Sequence, residues 1–308
     1  MTAKQITGVY AAVLTPRLAD DRVDIEALGR LIRFLMAKGI CSFAVNGATG
    51  EFCLTRPAQL QAMLATVKEA SAGKGNILCG VGAAGSAEAM ELARIAQAED
   101  VTGLLLPMPF FFPYQQEDLE LYCRTVASST SLPTLLYNLP QFASGLRKET
   151  VRRLIVEIPN IVGIKDSSGS LGILRDLTEH GVEAYRIVGS DGVLAQALTE
   201  GVCDGVVSGV ACALPEVICE MYANRHKSGS AQFRRASQLI DEFIARLELF
   251  PTPWGLKWAV EARRVIAATF SQPLTPHRHA QGKELAAWLE TWLPSAVPNE
   301  PALRPSSS

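Results

Sequence analysis

The sequence has little net charge, few histidines and no long apolar run, and each shortage removes a class of function. Lys and Arg number 29 against 31 Asp and Glu, a net charge of −2. Nucleic-acid binders carry a basic excess or stripe, so no nucleic acid is expected as a partner. No uninterrupted apolar run reaches the roughly 18 residues of a membrane span. The apolar stretch 6–14 is short, contains Gly8 and leads into Thr15-Pro16 without a small-residue cleavage site. It reads as a first strand rather than a signal peptide. The four histidines, His180, His226, His277 and His279, lie away from the strand ends, and His277-x-His279 sits in a helical region, so no metal centre is expected. There is no G-x-S-x-G elbow and no P-loop. The seven cysteines are odd in number, widely spaced and free of C-x-x-C. They read mostly as buried free thiols, and the expected compartment is a reducing cytoplasm.

What is present is ample apolar material, 48% of 308 residues, enough for one large α/β barrel or two smaller domains. Eight short apolar runs begin at Val9, Ser42, Ile77, Gly103, Thr134, Ile161, Tyr185 and Gly205, and amphipathic stretches alternate with them. Eight such units predict a (β/α)8 TIM barrel over residues 1–229. Residues 230–293 read as a C-terminal helical extension, with helices expected over 231–249, 254–268 and 280–292. The Pro- and Ser-rich end, 294–308, is expected to be a disordered tail.

A barrel does its chemistry where its strands end. The second run exits into Asn46-Gly47-Ala48-Thr49-Gly50-Glu51, whose glycines expose backbone N–H groups; it is either a carboxylate or phosphate cradle or a plain tight turn. The third exits into Gly80-Val81-Gly82-Ala83-Ala84-Gly85, a G-x-G-x-x-G match in the wrong place for a dinucleotide fold, with close packing as the alternative. The fourth exits into a stiff aromatic loop, 107–114, which meets another subunit or packs over the barrel top. Tyr137 ends the fifth and can relay a proton. Lys165 ends the sixth, which is the sharpest signal. A lysine desolvated at a barrel mouth loses its proton more easily and can attack a ketone to form a Schiff base. The alternative is an ion pair with Asp166 or another acid. The seventh and eighth exits, Gly189-Ser190-Asp191-Gly192 and Val207-Ser208-Gly209, offer small residues to the same mouth.

Taken together, Gly47-Ala48-Thr49-Gly50-Glu51, Gly80-Val81-Gly82, Tyr137-Asn138-x-Pro140 and Gly163-Ile164-Lys165-Asp166-Ser167-Ser168-Gly169 resemble the dihydrodipicolinate synthase / N-acetylneuraminate lyase family across residues 5 to 293. The resemblance implies a pyruvate-dependent class I aldolase or lyase, cytoplasmic and usually a homotetramer built as a dimer of dimers. It implies a Schiff base on Lys165 and proton shuttling by Tyr137. Thr49, with the N–H groups around Ala48 and Thr49, would hold the pyruvate carboxylate, and Gly189, Val207 and Ser208 would line the pocket. No metal or organic cofactor is then required.

The chain departs from the family at three points. Ala48 replaces a relay hydroxyl, and Phe111 replaces a tyrosine that crosses the dimer interface, leaving Tyr114 or a water as substitutes. Phe142 replaces the arginine with which the lysine-biosynthesis enzymes hold aspartate semialdehyde, and a phenyl ring cannot pair a carboxylate. Asp191 matches an acid that binds sugar hydroxyls. The absent arginine and Asp191 favour a 2-keto-3-deoxy sugar acid or related 2-oxo acid as partner, whereas the missing hydroxyls at Ala48 and Phe111 speak for a non-catalytic chain. The alternatives are 4-hydroxy-tetrahydrodipicolinate synthase, a sugar-acid dehydratase, and a non-catalytic pyruvate-binding protein.

Overall fold

The computed structural model describes residues 6–297. From the N-terminus, the first units are β1 (Gly8–Ala12), α1 (Ile25–Ala37), β2 (Ser42–Val45), α2 (Pro57–Ala70), β3 (Ile77–Gly80), α3 (Ser86–Ala98), β4 (Gly103–Pro107) and α4 (Gln116–Ala127). There follow β5 (Thr134–Asn138), α5 (Lys148–Glu157), β6 (Ile161–Asp166), α6 (Gly172–Glu179), β7 (Tyr185–Val188), α7 (Leu194–Glu200), β8 (Gly205–Ser208), α8 (Val210–Ala213) and α9 (Pro215–Ala223). The eight strands close in chain order into a parallel barrel, β8 pairing with β1, as the alternation of the sequence predicts. After it come α10 (Ala231–Leu247), α11 (Trp254–Ala262) and α12 (Pro276–Ala296).

The strands are apolar throughout because both of their faces are buried. Side chains alternate along each strand. On β5, Leu135 and Tyr137 join the cluster inside the barrel, with Tyr10, Leu105 and Ile187, while Leu136 packs outward among the helices. On β6, Ile164 faces outward, so Lys165 faces inward. Helix starts follow local chemistry: Asp24, Ser230 and Thr275 each accept a hydrogen bond from an N–H in the first turn of α1, α10 and α12. Pro57, Pro215 and Pro276 occupy first-turn positions where a missing N–H costs nothing.

The differences from expectation sit at the edges. The helix expected over 254–268 stops at Ala262, and the four-residue α8 has too few residues to show a period. The last helix runs from Pro276 through Pro294 to Ala296, beyond the expected start of the tail, because Leu293, Ala296 and Val297 are buried and hold its final turn down. The remainder of the expected tail, 298–308, lies outside the described residues. Cys79, Cys123 and Cys212 are buried free thiols, but Cys41 and Cys53 are exposed. No helix among the described residues is long and apolar enough to cross a membrane.

Candidate active site

The G-x-G-x-x-G match is a packing device. A Cβ on Gly80 would stand 1.9 Å from the Asn46 carbonyl oxygen, and one on Gly82 would stand 2.4 Å from the Phe52 ring. Asn46 also donates from Nδ2 to the Gly80 carbonyl at 2.8 Å. The third strand is thereby clamped to the Gly47–Gly50 turn, whose own entry and exit, Asn46 and Glu51, take left-handed backbone angles (φ 58° and 54°).

That turn forms one wall of a cavity of about 320 Å³ at the barrel mouth. Ala48, Thr49, Tyr137, Phe142, Lys165, Gly189, Asp191 and Val207 all line it, so eight of the nine residues singled out from sequence come together. The ninth, Ser208, does not. Val207 points into the barrel, so the next residue along β8 must point out. Ser208 is fully buried there, and its Oγ accepts the Ala211 N–H at 2.8 Å.

Lys165 stands in the middle of the site. It is 3% exposed, pairs in register with Tyr137, and its Nζ lies 3.8 Å from the centroid of the Tyr137 ring. The ion pair that was the alternative reading is not made: no carboxylate among the described residues lies within ion-pair distance of Nζ. Asp166 is otherwise engaged, its Oδ1 accepting from Asn138 Nδ2 and from the Ser168 N–H, both at 3.0 Å. Asn138 in turn accepts the Leu146 N–H at 3.0 Å, so the Tyr-Asn pair of β5 is tied to the end of β6. Burial raises the Asp166 carboxyl above the usual carboxylate range. Gly189 leaves room for the amine, since a Cβ there would approach Ser167 Oγ to 2.0 Å and Lys165 Cε to 2.7 Å.

Asp191 follows the neighbouring strand, β7, which pairs with β6. Its Oδ2 accepts the Val210 N–H at 3.0 Å. Burial pushes its carboxyl up, partly offset by the Ser208 side chain, the Val210 and Gly209 N–H groups and the charge of Lys165. Thr49 Oγ1 and Asp191 Oδ2 flank Gly209, at 3.5 and 3.7 Å from where its Cβ would be.

Two residues of the loop after β4 lie away from this wall within the chain. Tyr114 is not part of the cavity wall; its N–H donates to Ser144 Oγ at 2.8 Å. Phe111 is also absent from the wall and is 84% exposed, packed edge-on against the exposed Phe112. Sequence reasoning missed the roof. Ile244 and Leu247 of α10, with Phe250, Thr252 and Leu256, close the cavity from the C-terminal extension. On an amphipathic helix such residues carry no signal that separates a pocket wall from ordinary core. Among the described residues no group of His, Cys, Asp and Glu is placed to hold a metal ion.

Comparison with known proteins gives a consistent picture. The profile described as "Dihydrodipicolinate synthetase family" matches residues 5–292. The chain is 32% identical over 272 residues to a 4-hydroxy-tetrahydrodipicolinate synthase of Aromatoleum aromaticum, covering 88% of this chain and 93% of that one. Among solved structures it superposes on the chloride-inhibited dihydrodipicolinate synthase of Acinetobacter baumannii with a TM-score of 0.86 and 27% identity, over 93% and 98% of the two chains. An N-acetylneuraminate lyase of Mycoplasma synoviae shares the fold, with a TM-score of 0.81 at 19% identity over 92% and 97%. The leaning towards the sugar-acid branch therefore gains no support from these relatives, which are named as synthases where sequence similarity is appreciable.

Proposed function

Because the chain belongs to the dihydrodipicolinate synthetase family, whose members are carbon–carbon lyases and synthases of the Schiff-base type, we propose that Lys165 is the amine that binds pyruvate. The observation that carries this is the placement of the buried Lys165, whose Nζ lies 3.8 Å over the Tyr137 ring on the wall of the cavity with no carboxylate in ion-pair distance among the described residues. An amine so placed is a ready nucleophile once neutral.

In this reading the neutral Lys165 amine attacks C2 of pyruvate. The ketone oxygen leaves as water, and an iminium remains. The iminium is an electron sink, so the methyl carbon loses a proton and becomes a nucleophile. That carbon then attacks the aldehyde carbon of the second substrate, and hydrolysis returns the free amine. In reverse the same steps break the carbon–carbon bond. Tyr137 supplies and takes up the protons. Thr49 and the N–H groups around Ala48 and Thr49 hold the carboxylate and fix C2 against Nζ. Ala48 brings no hydroxyl to this relay, and missing relay groups cost about 10²–10⁴ in rate, so slow turnover is expected. Incubation with pyruvate and borohydride should add one carboxyethyl group, mapped to Lys165. An unchanged intact mass would overturn the assignment.

For the second substrate, the names of the relatives support condensation with aspartate semialdehyde, as in the synthases. The opposing reading, cleavage of a 2-keto-3-deoxy sugar acid, is favoured by the wall of the cavity. Among the described residues it contains no arginine, and the polar groups it offers beyond Lys165 include Gln141, Ser167, Ser190 and Asp191. Steady-state assays of both reactions decide between them. If the synthase reading holds, Phe142→Arg should lower KM for aspartate semialdehyde by roughly tenfold, one charge-assisted pairing. No change in KM would count against a carboxylate at that position.

The family expectation of a homotetramer is carried over on the exposed Phe111 and Phe112. Apolar rings of this kind suit the core of a subunit contact. Sedimentation should show an oligomer that Phe111→Ser with Phe112→Ser weakens; a monomeric wild-type chain would dismiss the assembly.

A further inference from the structure

A second cavity, of about 240 Å³, opens where the loop after β1 meets the start of α2 and the segment before α12. None of its residues lines the cavity around Lys165. Arg17, Arg22 and Arg56 line it, against Asp20 and Asp21. Arg22 and Asp20 hold each other at 2.7 Å, and Asp21 is the other acid of the lining among the described residues.

Arg17 is the anomaly. It is only 3% exposed, yet no carboxylate among the described residues lies within ion-pair distance of its guanidinium. Nη1 donates to the Asp21 carbonyl at 2.9 Å and Nη2 to Thr55 Oγ1 at 3.3 Å, both uncharged acceptors. Nε is buried with no acceptor. The neighbouring acid, Glu51, is committed to Lys257 at 2.6 Å. A buried cation with neither an anion nor a full set of acceptors is strongly disfavoured, so its persistence calls for a counter-charge. The exposed Arg56, also without an acid in ion-pair distance among the described residues, adds a second guanidinium on the open side. Ser271 and Gln272 add uncharged donors at the rim.

We propose that this cavity is a binding site for a small oxyanion, held between Arg17 and Arg56. A guanidinium fork matches both carboxylate and phosphate oxygens, so the class of ligand is a small metabolite bearing one of these groups. The site is separate from the Schiff-base chemistry and does not depend on it.

Calorimetric titration of the full chain with inorganic phosphate, and separately with succinate, tests the proposal. Saturable binding of at least one is expected, and the tighter of the two identifies the ligand group. Arg56→Ala should weaken it about tenfold, equivalent to ~1.4 kcal/mol, and Arg17→Gln should weaken it at least as much. Lys165→Met, which removes the cation of the other cavity, should leave it unchanged. Arg56 is exposed, so its variant decides the matter even if Arg17→Gln fails to fold. Absence of saturable binding, binding that survives Arg56→Ala, or binding lost in Lys165→Met would overturn the site.

Discussion

Lys165→Met is expected to abolish the borohydride-trapped adduct and to lower turnover by on the order of 10⁴-fold or more, the scale on which enzymes lose activity with their nucleophile. The same variant should keep the melting temperature of the parent or exceed it. The reason is the environment of the amine. Nζ sits at the buried end of β6, with no carboxylate in ion-pair distance among the described residues and the Tyr137 ring at 3.8 Å as its close neighbour. An amine largely withdrawn from water at a cavity wall, without a protein hydrogen-bond partner, costs about 1–3 kcal/mol, while its contact with the ring returns about 0.5–2 kcal/mol. Methionine fills nearly the same volume and removes both terms, so the balance is close to zero or favourable. Activity and stability therefore separate. A structural lysine would behave in the opposite way: its loss would lower the melting temperature by several degrees and leave any residual turnover sensitive to that unfolding. Single-turnover trapping and thermal unfolding of one purified variant distinguish the two.

How much of this was legible before the fold was known follows from where each residue sits. The eight strands were readable because a parallel barrel buries both strand faces, leaving short apolar runs such as Ser-Phe-Ala-Val and Gly-Leu-Leu-Leu-Pro between polar helix faces. Lys165 was readable because a charged residue at the end of such a run has no ordinary reason to be there. Ser208 was misplaced because strand ends set the parity of the side chains, and a serine following Val207 looks alike on either face. The roof formed by Ile244, Leu247 and Leu256 was invisible, because its residues meet the same apolar pattern whether they cover a pocket or fill a core. Arg17 was also missed. A lone arginine in a loop reads as exposed, and only the closed packing around Thr55 and Asp21 shows it to be buried.

The link between that roof and the Gly47–Gly50 turn gives the second large effect. Lys257 of α11 donates to Glu51 Oε2 at 2.6 Å and to the Thr269 carbonyl at 2.8 Å, and both charged side chains are buried. Glu51 closes the Gly47–Gly50 turn, and Leu256, the neighbour of Lys257, touches the active cavity. Burial lowers the Lys257 ammonium from its usual value, and the Glu51 carboxylate opposes the shift. Lys257→Met strands a carboxylate in a buried place and should destabilise the chain by about 3–5 kcal/mol, which corresponds to roughly 5–8 °C in melting temperature for a chain of this length. The loss falls at the low end if Glu51 turns to Arg17, the other cation of that neighbourhood. Glu51→Gln strands the lysine instead. The double variant, Glu51→Gln with Lys257→Met, removes both charges together, so it should be more stable than the Lys257→Met single variant. Its folded state should still show a raised KM for pyruvate, because the turn has lost its tie to the extension. Additive losses in the double variant would mean that the two side chains contribute separately, and an unchanged KM would mean that the turn holds its shape without the C-terminal helices.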